Sequence, residues 1–202
     1  MSASVQSPAD GQPSAGAHGL AVNLLIAVAY CLLAALSVRL RDPASGLMPM
    51  WAPMGLATFA LLRGGVRNLP GVLAGVAGSA LLAGHGAVAT VFHAVGQVCA
   101  PWLCAALLRR FAGHSEDLIE RTDGALKLLA CIYLSAVPSA AASVAGSALG
   151  QGLPAARWLE HGSALWLADA LGTLVSLLPL LAWSSRRPFA QMRKRAFEQL
   201  LV

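Results

Sequence analysis

Charge is scarce in this chain: Asp, Glu, Lys and Arg make up only 11% of 202 residues, and 57% are hydrophobic. A soluble domain carries roughly a quarter charged residues, so water is not the main solvent of this fold. Other absences narrow the function. The first 19 residues contain Asp10 as their only charge and no basic stretch, which excludes the pattern of a cleaved secretory signal. The cysteines Cys31, Cys99, Cys104 and Cys131 all fall in apolar stretches with no metal-ligand or redox spacing, and read as small hydrophobes. Gly64-Gly65 lacks a following Lys-Ser or Lys-Thr, so it is a turn and not a phosphate loop. No nucleophile and base fall at a recognisable spacing and no metal-ligand set is present, so neither enzymatic activity nor a metal or cofactor is expected.

What is present is a series of apolar runs near the length a bilayer demands. The hydrocarbon core is about 30 Å thick and a helix rises about 1.5 Å per residue, so a span takes about 20 residues. Six runs qualify, at 20–38, 44–62, 69–84, 87–108, 125–149 and 162–183. The fold class that follows is an all-α polytopic transmembrane bundle of about six spans. The third run is short, and Pro49 and Pro53 in the second leave a re-entrant segment open beside a full crossing. Residues 1–19 read as a disordered tail, 20–185 as the membrane domain and 186–202 as a basic tail.

Lys and Arg collect on the cytoplasmic side. With an even number of spans both termini share a side. If that side is the cytoplasm, the inner segments hold Arg63, Arg67, Arg109, Arg110, Arg121, Lys127, Arg186, Arg187, Arg193, Lys194 and Arg195, eleven in all. The outer segments then hold only Arg39, Arg41 and Arg157. Both termini are therefore expected inside. The net charge of +5 reflects topology and contact with anionic lipid, with no nucleic-acid partner needed. The longest connection, 109–124, carries Glu116, Asp117, Glu120 and Asp123. Ser115 before two of these acids fits either a cap of a brief interfacial helix or a solvated turn.

Helices in lipid associate through backbones that approach closely, which requires small residues at the interface. Gly71 and Gly75 supply such a face in span three, and Ser139, Ser143 and Ser147 a stripe in span five. Prolines fall inside other spans: Pro53, Pro101, Pro138 and Pro179. Each removes a helix hydrogen bond and frees a carbonyl four residues earlier, which for Pro101 is that of Gln97. They are read as hinges or as devices that shape packing.

Asp169 is the costliest residue, since an ionised carboxylate deep in a span costs about 2.5–3.5 kcal/mol on the lenient insertion scale. It lies seven residues into its span, counted from 162; His93 lies six residues into the fourth, with Gln97 a turn deeper on the same face. Trp51 and Trp166 reach similar depths. Asp169, His93, Gln97, Trp51 and Trp166 are thus candidates to line one ligand or proton site in the outer half of the bundle. A structural lock at Asp169, a packing role for His93 and interfacial anchoring by the Trp residues are the alternatives.

Two segments point to a family. Trp51-Ala52-Pro53-Met54-Gly55, followed by Arg63-Gly64-Gly65 and Leu69-Pro70-Gly71-Val72-Leu73-Ala74-Gly75, resembles the Trp-x-Pro-x-Gly and Pro-Gly segments of the first class of bacterial membrane-associated sensor (MASE) domains. Trp166-Leu167-Ala168-Asp169-Ala170-Leu171-Gly172, with Leu178-Pro179-Leu180 after it, is similar to that family's Trp-x-x-Asp-x-x-Gly segment and closing Pro-Leu. The resemblance covers about residues 20–185. It implies an inner-membrane domain that perceives a signal and precedes cytoplasmic diguanylate cyclase, phosphodiesterase or histidine kinase modules. It also implies two further spans and an output domain. The chain holds neither, so it reads as a stand-alone sensor, a truncated relative or a piece of a longer product.

The function expected is an integral inner-membrane input module that perceives a ligand or partner and relays it to a cytoplasmic output. Its partners are the lipid bilayer and a cytoplasmic signalling domain or membrane protein. The alternative is a small-molecule carrier or the substrate-binding membrane subunit of a transporter, for which Ala27, Cys31 and Ala35 supply a small-residue stripe in span one.

Overall fold

In lipid every backbone N–H and C=O must be satisfied within the protein, which leaves an apolar chain of this kind the α-helix. The structure, a computed structural model, describes residues 15–43, 48–83, 86–111 and 122–184. They form six helices: α1 (Ala15–Arg39), α2 (Pro53–Gly64), α3 (Leu69–Ala83), α4 (Ala87–Phe111), α5 (Thr122–Gln151) and α6 (Trp158–Ser184). Short 3₁₀ turns occupy Gly65–Asn68 and Ala155–Arg157. The segments 1–14, 112–121 and 185–202, which include the reading of Ser115 as a cap and of 186–202 as a tail, lie outside the described residues.

Helices α1, α4, α5 and α6 are long and apolar enough to cross a membrane. They outrun the apolar stretches that announce them. Helix α1 begins at Ala15, inside the stretch read as a tail, and α6 begins at Trp158, before 162. Hydrophobicity marks only the hydrocarbon layer, whereas the helix continues into the interface.

The second and third runs differ more from expectation. Helix α2 has 12 residues and α3 has 15, about 18 Å and 22 Å of rise, each short of the hydrocarbon core. Pro53 is the reason in α2. It occupies the first helical position, and a helix continued backwards would drive its ring against the Pro49 carbonyl. Pro53 therefore opens a helix and does not interrupt one. Residues 48–52 are not helical.

Successive helices run antiparallel, and their ends are pinned by side chains. At one end the α2–α3 turn is closed by Gly65, whose φ of 59° suits a residue without Cβ. The last carbonyls of α2 have no helical partners. Asn68 Nδ2 bonds Ala60 O at 2.8 Å, and Arg109 Nη2 from α4 donates to Leu61 O and, at 3.0 Å, to Leu62 O. Arg63 reaches Ser184 Oγ at the end of α6. Arg67, Arg110 and Lys127 lie at this same end, whereas Arg39, Arg41 and Arg157 lie at the other.

Close contact between helices occurs where glycine allows it. Gly71, Gly75 and Gly78 turn one face of α3 onto Asn23, Tyr30 and Cys31 of α1, so that face is used within the chain. On the α4–α5 interface Gly96 meets Ser139, and Gly146 meets Ala89 and Phe92. Leucines such as Leu20, Leu24 and Leu32 of α1 are exposed to the surroundings of the bundle, as befits a lipid-facing surface.

A Cβ on Gly75 comes within 2.6 Å of Tyr30 Cβ, whereas one on Gly16 meets nothing within 4 Å. Gly75→Val is therefore expected to lower stability by about 1–3 kcal/mol through overpacking, with Gly16→Val unchanged. Thermal unfolding in detergent reads both, and equal midpoints would show that α1 and α3 do not depend on this contact.

Candidate functional site

Polar groups buried among apolar helices must find partners or forfeit their solvation. The buried polar side chains of this bundle meet at one level. Gln97 of α4, 1% exposed, is the hub. Its Oε1 accepts from Trp51 Nε1 at 2.7 Å and from the Tyr30 hydroxyl at 3.1 Å. The indole N–H is a donor only, so the Gln97 carbonyl is committed to that side and its amide nitrogen faces the other. Nε2 lies 3.4 Å from Ser139 Oγ on α5. Asp169 of α6, 5% exposed, has the side chains of Ser139 and Gln97 as its hydrogen-bonding neighbours.

His93 stands one turn from Gln97 along α4 and is half-buried. Its ring meets Trp51 edge-on, with centroids 5.8 Å apart and planes at 76°. Its Nδ1 lies 3.3 Å from Ser143 Oγ. The cluster thus joins α1, the segment before α2, α4, α5 and α6.

The segment before α2 is held by its backbone. Trp51 N–H donates to Ala168 O of α6 at 2.9 Å, Ala52 N–H to Ser37 Oγ of α1 at 3.2 Å, and Ser176 Oγ to Ala52 O at 2.7 Å. Irregular backbone deep in a membrane protein is tolerated only where it is buried in protein, and Trp51 and Ala52 are both buried. Glycine makes the docking possible. A Cβ on Gly172 would overlap the Trp51 backbone, and Gly55 sits against Thr173, Ser176 and Leu177. The two sequence segments, Trp51–Gly55 and Trp166–Gly172, are therefore the two halves of one joint.

Of the five candidate residues, Trp51, His93, Gln97 and Asp169 come together. Trp166 does not. Its indole donates to Tyr133 O at 2.8 Å and its ring packs on Tyr133 at 5.2 Å, beside a groove of about 620 Å³ between α5 and α6. Within the cluster Asp169 neighbours Gln97 and Ser139, with His93 a turn away from Gln97 along α4. Tyr30 was missed, although a phenol in a lipid-facing span announces a need for a partner. Ser139 and Ser143 read as packing residues and turn out to contact Gln97 and His93; Ser147 lies near the end of α5, where its carbonyl accepts Leu153 N–H at 3.2 Å. Pro101, Pro138 and Pro179 lie inside α4, α5 and α6, the first two within a turn of Gln97 and Ser139. The stripe Ala27, Cys31 and Ala35 lines a shallow groove along α1, with Cys31 turned onto Gly75 and Gly78 of α3.

A motif pair that closes into one joint, around a buried carboxyl, is a feature a family can share. The family model of MASE1, a membrane-associated sensor domain, matches residues 21–202. The chain belongs to the MASE1 family. Its match runs past Ser184 through the basic segment to Val202, beyond the 185 boundary of the resemblance. Neither a curated protein nor a solved structure matches the chain. This MASE1 chain is thus a multi-pass membrane protein in contact with the bilayer, whose described residues form four long apolar helices and the two shorter helices α2 and α3.

The hub position sets an expectation. Gln97→Leu strands Trp51 Nε1, Tyr30 and Asp169 together, so Gln97→Leu and Asp169→Leu should be less than additive, with a coupling of about 0.5–3 kcal/mol. Trp158→Phe, eleven residues and about 16 Å along α6 from Asp169, should add to Asp169→Leu within about 0.5 kcal/mol. A double-mutant cycle on unfolding in detergent measures both, and a zero coupling for the first pair would dismantle the cluster.

Proposed function

We propose that this chain is the input part of a bacterial inner-membrane sensor, non-enzymatic in itself. It crosses the bilayer six times with both termini cytoplasmic, reads its signal at the Asp169–Gln97 cluster, and relays it through α6 to a cytoplasmic signalling domain or membrane partner. Family membership supports the sensory role. The eleven-to-three division of cations supports the orientation.

Six crossings fit the short helices once their leads are added. The irregular residues 48–52 lead into α2 and lengthen that arm beyond the roughly 18 Å of its helix, and the 3₁₀ turn Gly65–Asn68 carries the chain into α3.

The observation that carries the reading is the joint itself. One hydrogen-bonded cluster holds α6 at Ala168 and Asp169, and the same helix ends on Arg63 of α2 through Ser184. A change at the cluster is therefore mechanically connected to the end that carries most of the cations. A signal shifts such an element only by interacting differently with its two arrangements, and a charge or hydrogen-bond change at Asp169 does so. The carrier alternative has no comparable support, because the stripe that suggested it lines only a shallow groove, and its Cys31 is turned onto Gly75 and Gly78 of α3.

Two measurements test this. Reporter fusions after Leu62 and Arg110 should be cytoplasmic and one after Gly84 exported; an exported reporter at Arg110 overturns the orientation. For the relay, spin labels at Arg110→Cys and Trp183→Cys in bilayer nanodiscs should report a separation that changes by about 1–2 Å, the size of a helix shift, when Asp169→Asn is introduced. An unchanged distance distribution removes the relay.

A further inference from the structure

The serine stripe of α5 does more than pack. Ser139, Ser143 and Ser147 repeat every four residues on one face, and their burial is graded: Ser139 is fully buried, Ser143 is 9% exposed and Ser147 is only partly buried. Ser147 lies at the end of the bundle that bears the α5–α6 turn, with Leu153 N–H on its carbonyl. His93, half-buried, touches Ser143; Ser139 touches Gln97 and Asp169. A polar line therefore runs from the surface at that end to the one buried carboxyl among the described residues, through helices otherwise lined with Ala, Gly, Val and Leu.

We propose that Asp169 is a protonation site supplied along this line, so that the signal read by the cluster is the proton. The proposal rests on the sensory reading and names its signal. Space favours a proton over a larger ligand. A Cβ on Gly96 comes within 3.0 Å of the Ser139 backbone and one on Gly172 overlaps that of Trp51, so the walls beside Asp169 are in contact. The two described grooves lie elsewhere, one between α5 and α6 facing outward and one along α1.

Hydrogen-bond polarity gives the direction. Trp51 and Tyr30 donate to Gln97 Oε1, which turns the amide donors toward Ser139 and Asp169. A proton from bulk water passes to His93, whose ring takes it at one nitrogen and releases one from the other. It continues to Ser143, and from there to Ser139; each hydroxyl accepts one hydrogen and gives up its own. Ser143 and Ser139 stand one turn apart on the same face of α5, with about 5–6 Å between their Cβ atoms, so rotation of the two side chains brings one hydroxyl toward the other. At the end Asp169 gains an O–H that donates to Ser139 Oγ, and the Ser139 hydrogen turns to a carbonyl of its own helix.

The titratable groups around Asp169 are Tyr30 from α1 and His93 from α4. Trp51, Gln97 and Ser139 are neutral; Cys104 has Ser135 and Thr58 as its partners. Arg109 and Lys127 lie twelve residues along their helices from Gln97 and Ser139, about 18 Å away. The described ion pairs, Lys127–Asp123 and Arg157–Glu160, are at the surface. Among the described residues, Asp169 thus has neutral hydrogen-bonding neighbours, with no Arg or Lys at its level.

The test is infrared difference spectroscopy of the full chain in phosphatidylcholine–phosphatidylglycerol nanodiscs. The expected result is a protonated-carboxyl band that grows as pH falls between about 9 and 6, above the range in which exposed carboxylates protonate, and is missing there in Asp169→Asn, which keeps the shape of the side chain. After a pH jump the band should form about a hundredfold more slowly in His93→Phe and Ser143→Ala, with its final size unchanged. A wild-type band insensitive to pH, or one that survives Asp169→Asn, overturns the site; unchanged rates in both path variants overturn the path. The spin-label pair at Arg110 and Trp183 separates this from the sensory reading. A titrating Asp169 with no label movement sinks the sensor and leaves the proton site. Label movement in Asp169→Asn without a titrating band does the reverse.

Discussion

One side-chain oxygen organises the interior of this bundle. Gln97 Oε1 accepts two donors from two different elements, the indole of Trp51 and the phenol of Tyr30. In a low-dielectric interior each of those donors, left alone, forfeits about 1–3 kcal/mol of solvation, and neither has bulk water to turn to. The two donors also determine which way the amide faces, and so decide that donors and not acceptors confront Ser139 and Asp169. Remove the oxygen and three elements lose their shared reference point. The hydrophobic clusters around it, such as Cys104, Leu108, Ile132 and Leu177 toward the Arg63 end, set the distance between helices but not their register, because Leu and Ile side chains pack against one another at many offsets. Directional bonds at one level supply that register.

The same constraint explains why α2 is short. Backbone at this depth escapes the helix only if every N–H and C=O finds another partner. Trp51 N–H has Ala168 O, Ala52 N–H has Ser37 Oγ, Ala52 O has Ser176 Oγ, and Pro53 has no N–H to satisfy. Met54 and Gly55 bond back to Trp51 and Ala52. The accounting closes only because Gly172 lets the Trp51 backbone lie directly on α6. A residue with a side chain there would hold the segment away from Ala168 and reopen the account at several groups at once.

Much of the site was legible from sequence because polar residues stand out in apolar runs: Asp169, Gln97 and His93 are conspicuous for the same reason that they are costly. The all-α class followed from composition alone. What was not legible has a physical reason in each case. Trp166 shares Trp51's residue type and apparent depth, but which face of a helix it takes depends on packing, and it turned to Tyr133. Residues 48–52 are as apolar as a helix and stay irregular through contacts of Trp51 and Ala52 with α1 and α6, which no local pattern records. Tyr30 was hidden by its hydrophobic ring, and Ser139 by its small size, which suits packing and hydrogen bonding equally. Hydropathy also does not reveal the first turn of α6, where Glu160 and His161 sit.

Surrounding a buried carboxyl with neutral partners has a different consequence from pairing it with a cation. An arginine at this level would hold Asp169 ionised, and losing either partner would strand an uncompensated charge at a cost of about 3–5 kcal/mol. Such a pair suits a lock with one state. Ser139 and Gln97 instead offer hydroxyl and amide groups. A hydroxyl serves as donor to a carboxylate or as acceptor from a carboxylic acid by rotating one hydrogen, so both protonation forms of Asp169 find partners without moving a heavy atom far. The two forms still differ in which group Ser139 bonds and in how strongly Gln97 is held, and Gln97 is what Trp51 and Tyr30 hang on. A small change at the carboxyl is thereby passed to the segment before α2 and to α6 at Ala168. That combination, two tolerated states with unequal pull on a shared hub, is what separates a switch from a lock.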